Sequence, residues 1–441
     1  MYGLIVLVIV LLGLVLAISW GKVHPFVALL LAALALGLLM NLGGTATVNA
    51  LLDGFGTTMR WIAIVVVLGA FIGEVLHQTG GAVRIAERIV RLAGLRKVPM
   101  AMGVIGYIVS IPVFVDVAYI VLQPVTEALS VRSKKPVLVI GLSLAAGLTV
   151  SHTLLPPTPG PLAVASLLGA DLGRLILINA TVAVFAMSGG IIWAMTYCRR
   201  FHLEYDKQLV RTYSASDPLM AGASGRLGLD LLPIVLPIVL MAGGTLLPED
   251  SKGLLSQLGR FFSIPMVAVL IGAVVAGLSY HFSGVKTALA HLVEQAIVKS
   301  ALVIMITGAG GAFGQVIKAT EVHLPFVDTL VAYQSLGFLL PFLLAAVLTT
   351  ATGSITVSLI STASLLGPLA GTLPYSPEIM AALIGSGSFC VFHANASFFW
   401  LLQRLHEVPV STLYRTYTLQ SLVMGLSGLL GVFVLLLLGI T

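Results

Sequence analysis

Ser151-His152-Thr153-Leu154-Leu155-Pro156-Pro157-Thr158-Pro159-Gly160-Pro161 sits in the middle of an apolar stretch running from Val137 to Leu168. A bilayer crossing takes about 20 residues, so this stretch is too long for one simple span. Its prolines each remove a backbone donor and clash with the preceding turn, so the stretch cannot be one continuous helix. The sequence therefore predicts a helix broken at Ser151-His152 and again at the prolines. Unpaired backbone at that depth is tolerated only where protein buries it or a cavity solvates it. A break of this kind marks a place where a polar solute is held.

The surroundings agree. Of the 441 residues, 58% are hydrophobic and 9% charged, against the roughly 25% charge that a soluble surface needs; the mean hydropathy is +1.08. Further apolar runs extend from Tyr2 to Trp20, Pro25 to Met40, Trp61 to Leu76, Ile176 to Tyr197, Leu229 to Leu247, Ile264 to Tyr280 and Leu419 to Ile440. The first has no basic residues before it and no small-residue cleavage site, so it reads as a span rather than a signal peptide. Runs of this length in hydrocarbon must be helices, which gives an all-α polytopic membrane protein. Cys198 and Cys390 are far apart and fit no metal or disulfide pattern, and the sequence calls for no cofactor. The net charge of +6 comes from basic residues scattered over loops, which is orientation bias rather than a nucleic-acid surface.

Three more stretches are interrupted. Residues 100–131 carry Ser110-Ile111-Pro112 and Asp116 at their centre, residues 336–370 carry Thr349-Thr350-Ala351-Thr352-Gly353-Ser354, and residues 377–405 carry Gly385-Ser386-Gly387-Ser388 and His393-Ala394-Asn395-Ala396. Each half of the chain thus reads as three spans, a re-entrant hairpin (100–131, 336–370), a broken helix (137–168, 377–405) and a last span. The halves are residues 1–197 and 229–441, joined by a charged cytoplasmic linker at 198–228. Leu68-Gly69-Ala70-Phe71-Ile72-Gly73 resembles Gly310-Gly311-Ala312-Phe313-Gly314, and His152 corresponds to His393. Five crossings per half is an odd number, so the second half is inverted on the first. Inverted repeats with discontinuous helices at midplane are a signature of secondary transporters.

Charge supports this topology. With the loop after the third span in the cytoplasm, only Arg60, Arg174, Lys252, Arg260 and Lys318 of the 23 basic residues fall outside, as the positive-inside rule requires. Both termini are then periplasmic in a bacterial inner membrane, and the two hairpins insert from opposite faces. Residues 82–95 read as an amphipathic helix in the cytoplasmic interface.

Ionisable residues inside a membrane are costly and mark pathways or sites. Asp116 at the first hairpin tip is a candidate protonatable carboxylate; its other reading is a helix cap, since Asp is favoured there. His152 and His393, at equivalent breaks, are candidates to donate to an anion or, for His152, to pass a proton. Glu74 reads as structural. Hydroxyls at the tips (Ser110, Thr350, Thr352, Ser354, Thr356) and in the breaks (Ser151, Thr158, Asn395), with Gly353 and inward-pointing helix N-termini, would form an electropositive cradle for a carboxylate with a hydroxylated tail. No lysine or arginine lies among them, so a small organic monocarboxylate fits better than a multiply charged anion. A passive channel fits poorly, because hairpins from opposite faces obstruct a continuous pore. Enzyme signatures are absent: there is no H-E-x-x-H, no paired catalytic aspartates and no G-x-S-x-G elbow.

At these residues the chain resembles the gluconate permease family of the ion-transporter superfamily. The resemblance rests on Gly21-Lys22-Val23-His24-Pro25-Phe26-Val27-Ala28-Leu29-Leu30, Ser110-Ile111-Pro112-Val113-Phe114-Val115-Asp116-Val117, Leu155 to Pro161, Gly308 to Phe313, Gly353-Ser354-Ile355-Thr356-Val357 and Phe399-Trp400-Leu401. It implies proton symport of gluconate or related aldonates, with relatives that carry D-serine. It also implies homodimers and an elevator-type motion of the hairpin-bearing part. Two departures stand out. The family's Pro-Pro-His-Pro is Pro156-Pro157-Thr158-Pro159 here, and the Asp that usually follows Asn in the second break is Ala396. One imidazole and one carboxylate are missing, which leaves Asp116, His152 and His393 as the groups able to carry a proton, and sodium as the rival coupling ion.

Overall fold

The computed structural model describes residues 2–19, 21–201, 203, 227–244, 253–285, 287–321, 334–371, 373, 375–394 and 396–440. All regular structure among them is helical. In chain order the helices are α1 (Tyr2–Ser19), α2 (Pro25–Leu39), α3 (Gly44–Gln78), α4 (Gly81–Ala93), α5 (Val98–Val109), α6 (Val115–Ser133), α7 (Val137–Leu154), α8 (Pro159–Leu168) and α9 (Leu172–Thr196). After the linker come α10 (Leu227–Gly244), α11 (Leu254–Ser263), α12 (Pro265–His281), α13 (Leu289–Ala319), α14 (Gln334–Thr352), α15 (Ile355–Leu366), α16 (Pro377–Gly387), α17 (Ser397–His406), α18 (Val410–Leu413) and α19 (Leu419–Leu437). Among the described residues five helices are long and apolar enough to cross a membrane, or up to seven when bent pairs count as one span.

Proline starts several of these helices, at Pro25, Pro159, Pro265 and Pro377, where its missing N–H costs nothing. Caps follow the same economy: Asp171 accepts from the Arg174 amide and Ser376 from the Ile379 amide. The interfacial helix expected at 82–95 is α4, which meets the following helix at 113°. There Arg84 donates to Asp230 at 2.6 and 2.8 Å, and that hydrogen bonding raises the guanidinium above its ordinary range.

The two longest helices, α3 and α13, pack along each other. Gly54 lies against the Gly311 carbonyl, Gly311 against Thr58 and Gly308 against the Phe55 ring, so that a Cβ at any of them would overlap its neighbour. Small residues permit this approach, and dispersion between the close backbones holds it. The pair is also tied by charge: Lys299 donates to Glu74 at 2.5 Å, and Gln78 donates to the other Glu74 oxygen at 3.1 Å. Lys299, assigned to a cytoplasmic loop from sequence, is thus part of α13, and Arg60, assigned to an outer loop, is part of α3. Helix α2 packs on α13 as α12 packs on α3, and α9 runs against α19.

Helix α7 lies at the centre. Every one of its residues is buried except His152, as suits a helix apolar on all sides. Gly147 rests on the Gly103 backbone and Gly106 on that of Leu144, which draws α5 tightly onto α7.

The chain breaks fall close to the expected positions, with two corrections. Ser151 and His152 are not a break: α7 continues to Leu154, and the Leu155 amide still donates to the Ser151 carbonyl at 2.9 Å. Only the prolines end the helix. Likewise Gly385-Ser386-Gly387 remains helical, and the second broken helix opens at residues 388–396. Small polar residues inside a buried helix meet their needs locally, as where Thr153 donates to the Thr149 carbonyl at 2.7 Å; proline has no such recourse.

Candidate solute site

Three helices begin at one place. Helix α6 starts after the break at 110–114, α15 after Gly353-Ser354, and α17 after the break at 388–396. Their first residues line a single cavity of about 200 Å³: Phe114, Val115 and Asp116 from α6; Ser354, Ile355 and Thr356 from α15; and Ala396, Ser397 and Phe398 from α17. The first amides of a helix have no carbonyl four residues back to bond. With the helix dipole they make a region that attracts anions. Thr149 and His152 of α7, with Phe392 and Tyr417, complete the wall.

Each break is held by named contacts. At the first, the Ser110 hydroxyl donates to the Val113 carbonyl at 3.0 Å, closing the turn. At the second, Gly353 has φ +69°, a left-handed conformation that glycine takes without steric cost, and the Ser354 hydroxyl accepts from the Val357 amide. Ser358 bridges the Ala345 carbonyl (2.7 Å) and Ser388 (3.2 Å), tying this hairpin to α16. At the third, Ser421 accepts from the Phe392 amide at 2.9 Å and Trp400 donates to the Ala394 carbonyl at 2.7 Å. At the proline break, Asn179 donates to the buried Leu154 carbonyl at 2.8 Å.

The cavity has one carboxylate among its described lining residues, Asp116, and no lysine or arginine. Asp116 is exposed and sits at the second position of α6, whose cap is Phe114; the cap reading of this residue is therefore wrong. His152 faces both this cavity and a crevice of about 10 Å³ that it shares with Gly69, Pro112, Pro157 and Thr158, room for one water. Its Nδ1 is buried with no hydrogen-bond partner among the described residues, and its ring lies 5.9 Å from that of Phe114.

Of the residues singled out from sequence, Asp116, His152, Gly353, Ser354 and Thr356 share the cavity. Ser110, Ser151, Thr158, Thr350, Thr352 and His393 are not on its wall. The Thr158 hydroxyl donates to the Leu155 carbonyl, and Thr350 and Thr352 donate back to Ala346 and Leu348 at 2.8 and 2.7 Å. His393 Nε2 donates to the Thr350 carbonyl at 2.8 Å, joining the two breaks of the second half. Ser151 is buried in α7 and its hydroxyl has no partner among the described residues. Asn395 lies outside the described residues. Sequence reasoning missed the aromatic wall. Phe392 stacks on Tyr417 with centroids 5.8 Å apart, and Phe398 meets both Tyr417 (5.8 Å) and Tyr119 (5.3 Å). Tyr417 belongs to a π-helical turn, Tyr414–Thr418, of the kind that often re-aims side chains at functional sites; the polar run Thr416-Tyr417-Thr418 before an apolar span was its available signal.

A family model described as GntP family permease matches residues 2–438. The chain is 31% identical to a gluconate permease of Pseudomonas aeruginosa over 99% of this chain and 97% of that one. It is 30% identical to the D-serine transporter DsdX of Escherichia coli over 96% and 95%. Among solved structures it is similar to MtrF of Neisseria gonorrhoeae, at 14% identity with a TM-score of 0.68, covering 95% of this chain and 96% of that one. The Alcanivorax borkumensis YdaH transporter gives 17% and 0.67, covering 95% and 99%. These two share the fold.

Proposed function

Because the chain belongs to the GntP family of permeases, it is a multi-pass membrane transporter and not an enzyme, and we propose that it carries gluconate or a related small hydroxylated monocarboxylate in symport with protons across a bacterial inner membrane. The single observation that supports this reading most is the convergence of three helix N-termini and Asp116 on one cavity. The N-termini offer a carboxylate its hydrogen bonds, and the hydroxyls of Ser354, Thr356 and Ser397 suit a hydroxylated tail.

Asp116 supplies the coupling. An ionised Asp116 and a substrate carboxylate in a cavity this small repel each other by on the order of 3 kcal/mol, taking ~5 Å and an effective dielectric of ~20. That is a factor of more than a hundred in affinity. A proton on Asp116 removes the repulsion, so proton and anion bind together and leave together. His152 lines the cavity, and its buried Nδ1 has no partner among the described residues; it would relay the proton or donate to the solute.

The mirrored packing of α2 on α13 and α12 on α3, with α3 against α13 and α9 against α19, supports two inverted repeats. The hairpins and broken helices would then form the part that moves, elevator-fashion, against the long helices, in a homodimer with both termini periplasmic. Alternating access follows from two states that differ in which side the cavity faces.

The similarity to a D-serine transporter favours a second substrate reading, since a zwitterion brings its own cation to a cavity that has none; with sodium as coupling ion it forms the alternative to gluconate–proton symport. Proteoliposomes loaded at neutral pH and diluted into acid buffer, with and without sodium, test both. The proposal expects gluconate accumulation that follows the proton gradient and is blocked by excess aldonate. Accumulation of D-serine that requires sodium would replace it.

A further inference from the structure

A second cavity, of about 270 Å³, lies between the long-helix pair and the far ends of α8 and α15. It differs from the tip cavity in carrying a cation. Lys318, near the end of α13, is the one charged residue among those described on its wall, and it is joined there by the Gln315 amide and the hydroxyls of Thr57 and Ser166. Gly54, Gly311 and Gly314 line the cavity beside them. Helix α15 runs from one cavity to the other: Ser354 to Thr356 at its start line the tip cavity, and Ser364 at its end lines this one. At 1.5 Å per residue the two ends stand roughly 15 Å apart.

We propose that this cavity is a capture site, which binds the hydroxylated carboxylate through Lys318, Gln315 and Thr57 before the anion reaches the tip cavity. The inference rests on the carrier reading above. A cation in a partly enclosed groove concentrates anions from solution, and a cation and an amide among the hydroxyl residues Thr57, Thr58, Ser166 and Ser364 match one carboxylate with a polyhydroxylated tail. In the tip cavity Asp116 offsets the pull of the helix N-termini and no cation lies among the described lining residues, so it draws an anion from solution less strongly. The topology expected from the basic residues would set the Lys318 end of α13 on the outer face, where an uptake carrier meets its substrate.

Uptake of gluconate, with Lys318→Gln and Thr57→Cys variants, tests it. Lys318→Gln raises KM by about two- to five-fold, the scale of one exposed ion pair, leaves the maximal rate unchanged and removes the rise of KM with ionic strength; Lys318→Arg restores both. The native Cys198 and Cys390 are buried, so in right-side-out vesicles an impermeant maleimide reports on Thr57→Cys, and gluconate near its KM slows the labelling. Labelling of an uptake-competent Thr57→Cys at the same rate with and without gluconate, or only from the inner face, overturns the capture site. Wild-type vesicles that take up no gluconate overturn the carrier reading instead.

Discussion

Asp116 and Ser354, from opposite halves of the chain, line one cavity, each at the start of a helix that follows a backbone break. The carboxylate is the cavity's negative charge, and the Ser354 end of α15 contributes its positive pole. On the proposed coupling, a proton on that carboxylate decides whether an anion stays.

Asp116→Asn therefore separates transport from coupling. The amide keeps the size of the side chain but neither gains nor loses a proton. Gradient-driven accumulation of gluconate in proteoliposomes should vanish, while counterflow exchange of labelled for unlabelled gluconate persists. Wild-type accumulation by this variant would remove Asp116 from the coupling step.

His152 is the one residue of α7 that is not buried, and its role is separable from packing. His152→Phe keeps a ring against Phe114 and deletes both nitrogens. A lost hydrogen bond to a charged ligand is worth about 1.5–3 kcal/mol, so the affinity for gluconate, read by titration calorimetry, should fall at least tenfold. The melting temperature in detergent should hold.

Glu74 and Lys299 act on stability. Glu74 is nearly enclosed, its side chain 5% exposed, while Lys299 is 33% exposed, so the pair lies between surface and buried limits. Glu74→Gln or Lys299→Met alone should cost about 2 kcal/mol, and the double variant less than the sum of the two, as measured by thermal unfolding. Additive costs would mean that the contact contributes nothing.

Gly73 brings α3 onto the first hairpin tip, where a Cβ would overlap the Pro112 carbonyl. Gly73→Ala should destabilise the protein by about 1–3 kcal/mol and slow uptake. Gly13→Ala, which faces open space, should do neither. Equal effects at both positions would show that the Gly73–Pro112 approach has no special place in the fold.

Much of this architecture was legible before the structure. Proline and glycine mark breaks through chemistry that no surrounding can repair, so Pro156-Pro157 and Gly353 fell where expected. Ser151 and His152 do not form the break expected there, because neither removes a backbone donor and the Leu155 amide still bonds the Ser151 carbonyl. Asp116, Ser354 and Thr356 stand out in the sequence because each follows a break directly, and all three line the cavity. The aromatic wall of Phe392, Phe398 and Tyr417 was not, since an aromatic residue in a membrane helix looks the same in sequence whether it faces lipid, core or solute. Thr350 and His393 looked like ligands but spend their hydrogen bonds on the turn itself, a distinction that depends on where a carbonyl points.

The most direct test of the account is a high-resolution map of the purified protein saturated with gluconate. The account predicts solute density between Asp116 and the first turn of α15, with the carboxylate against the Ile355 and Thr356 amides. Density elsewhere, with that space empty, would contradict it.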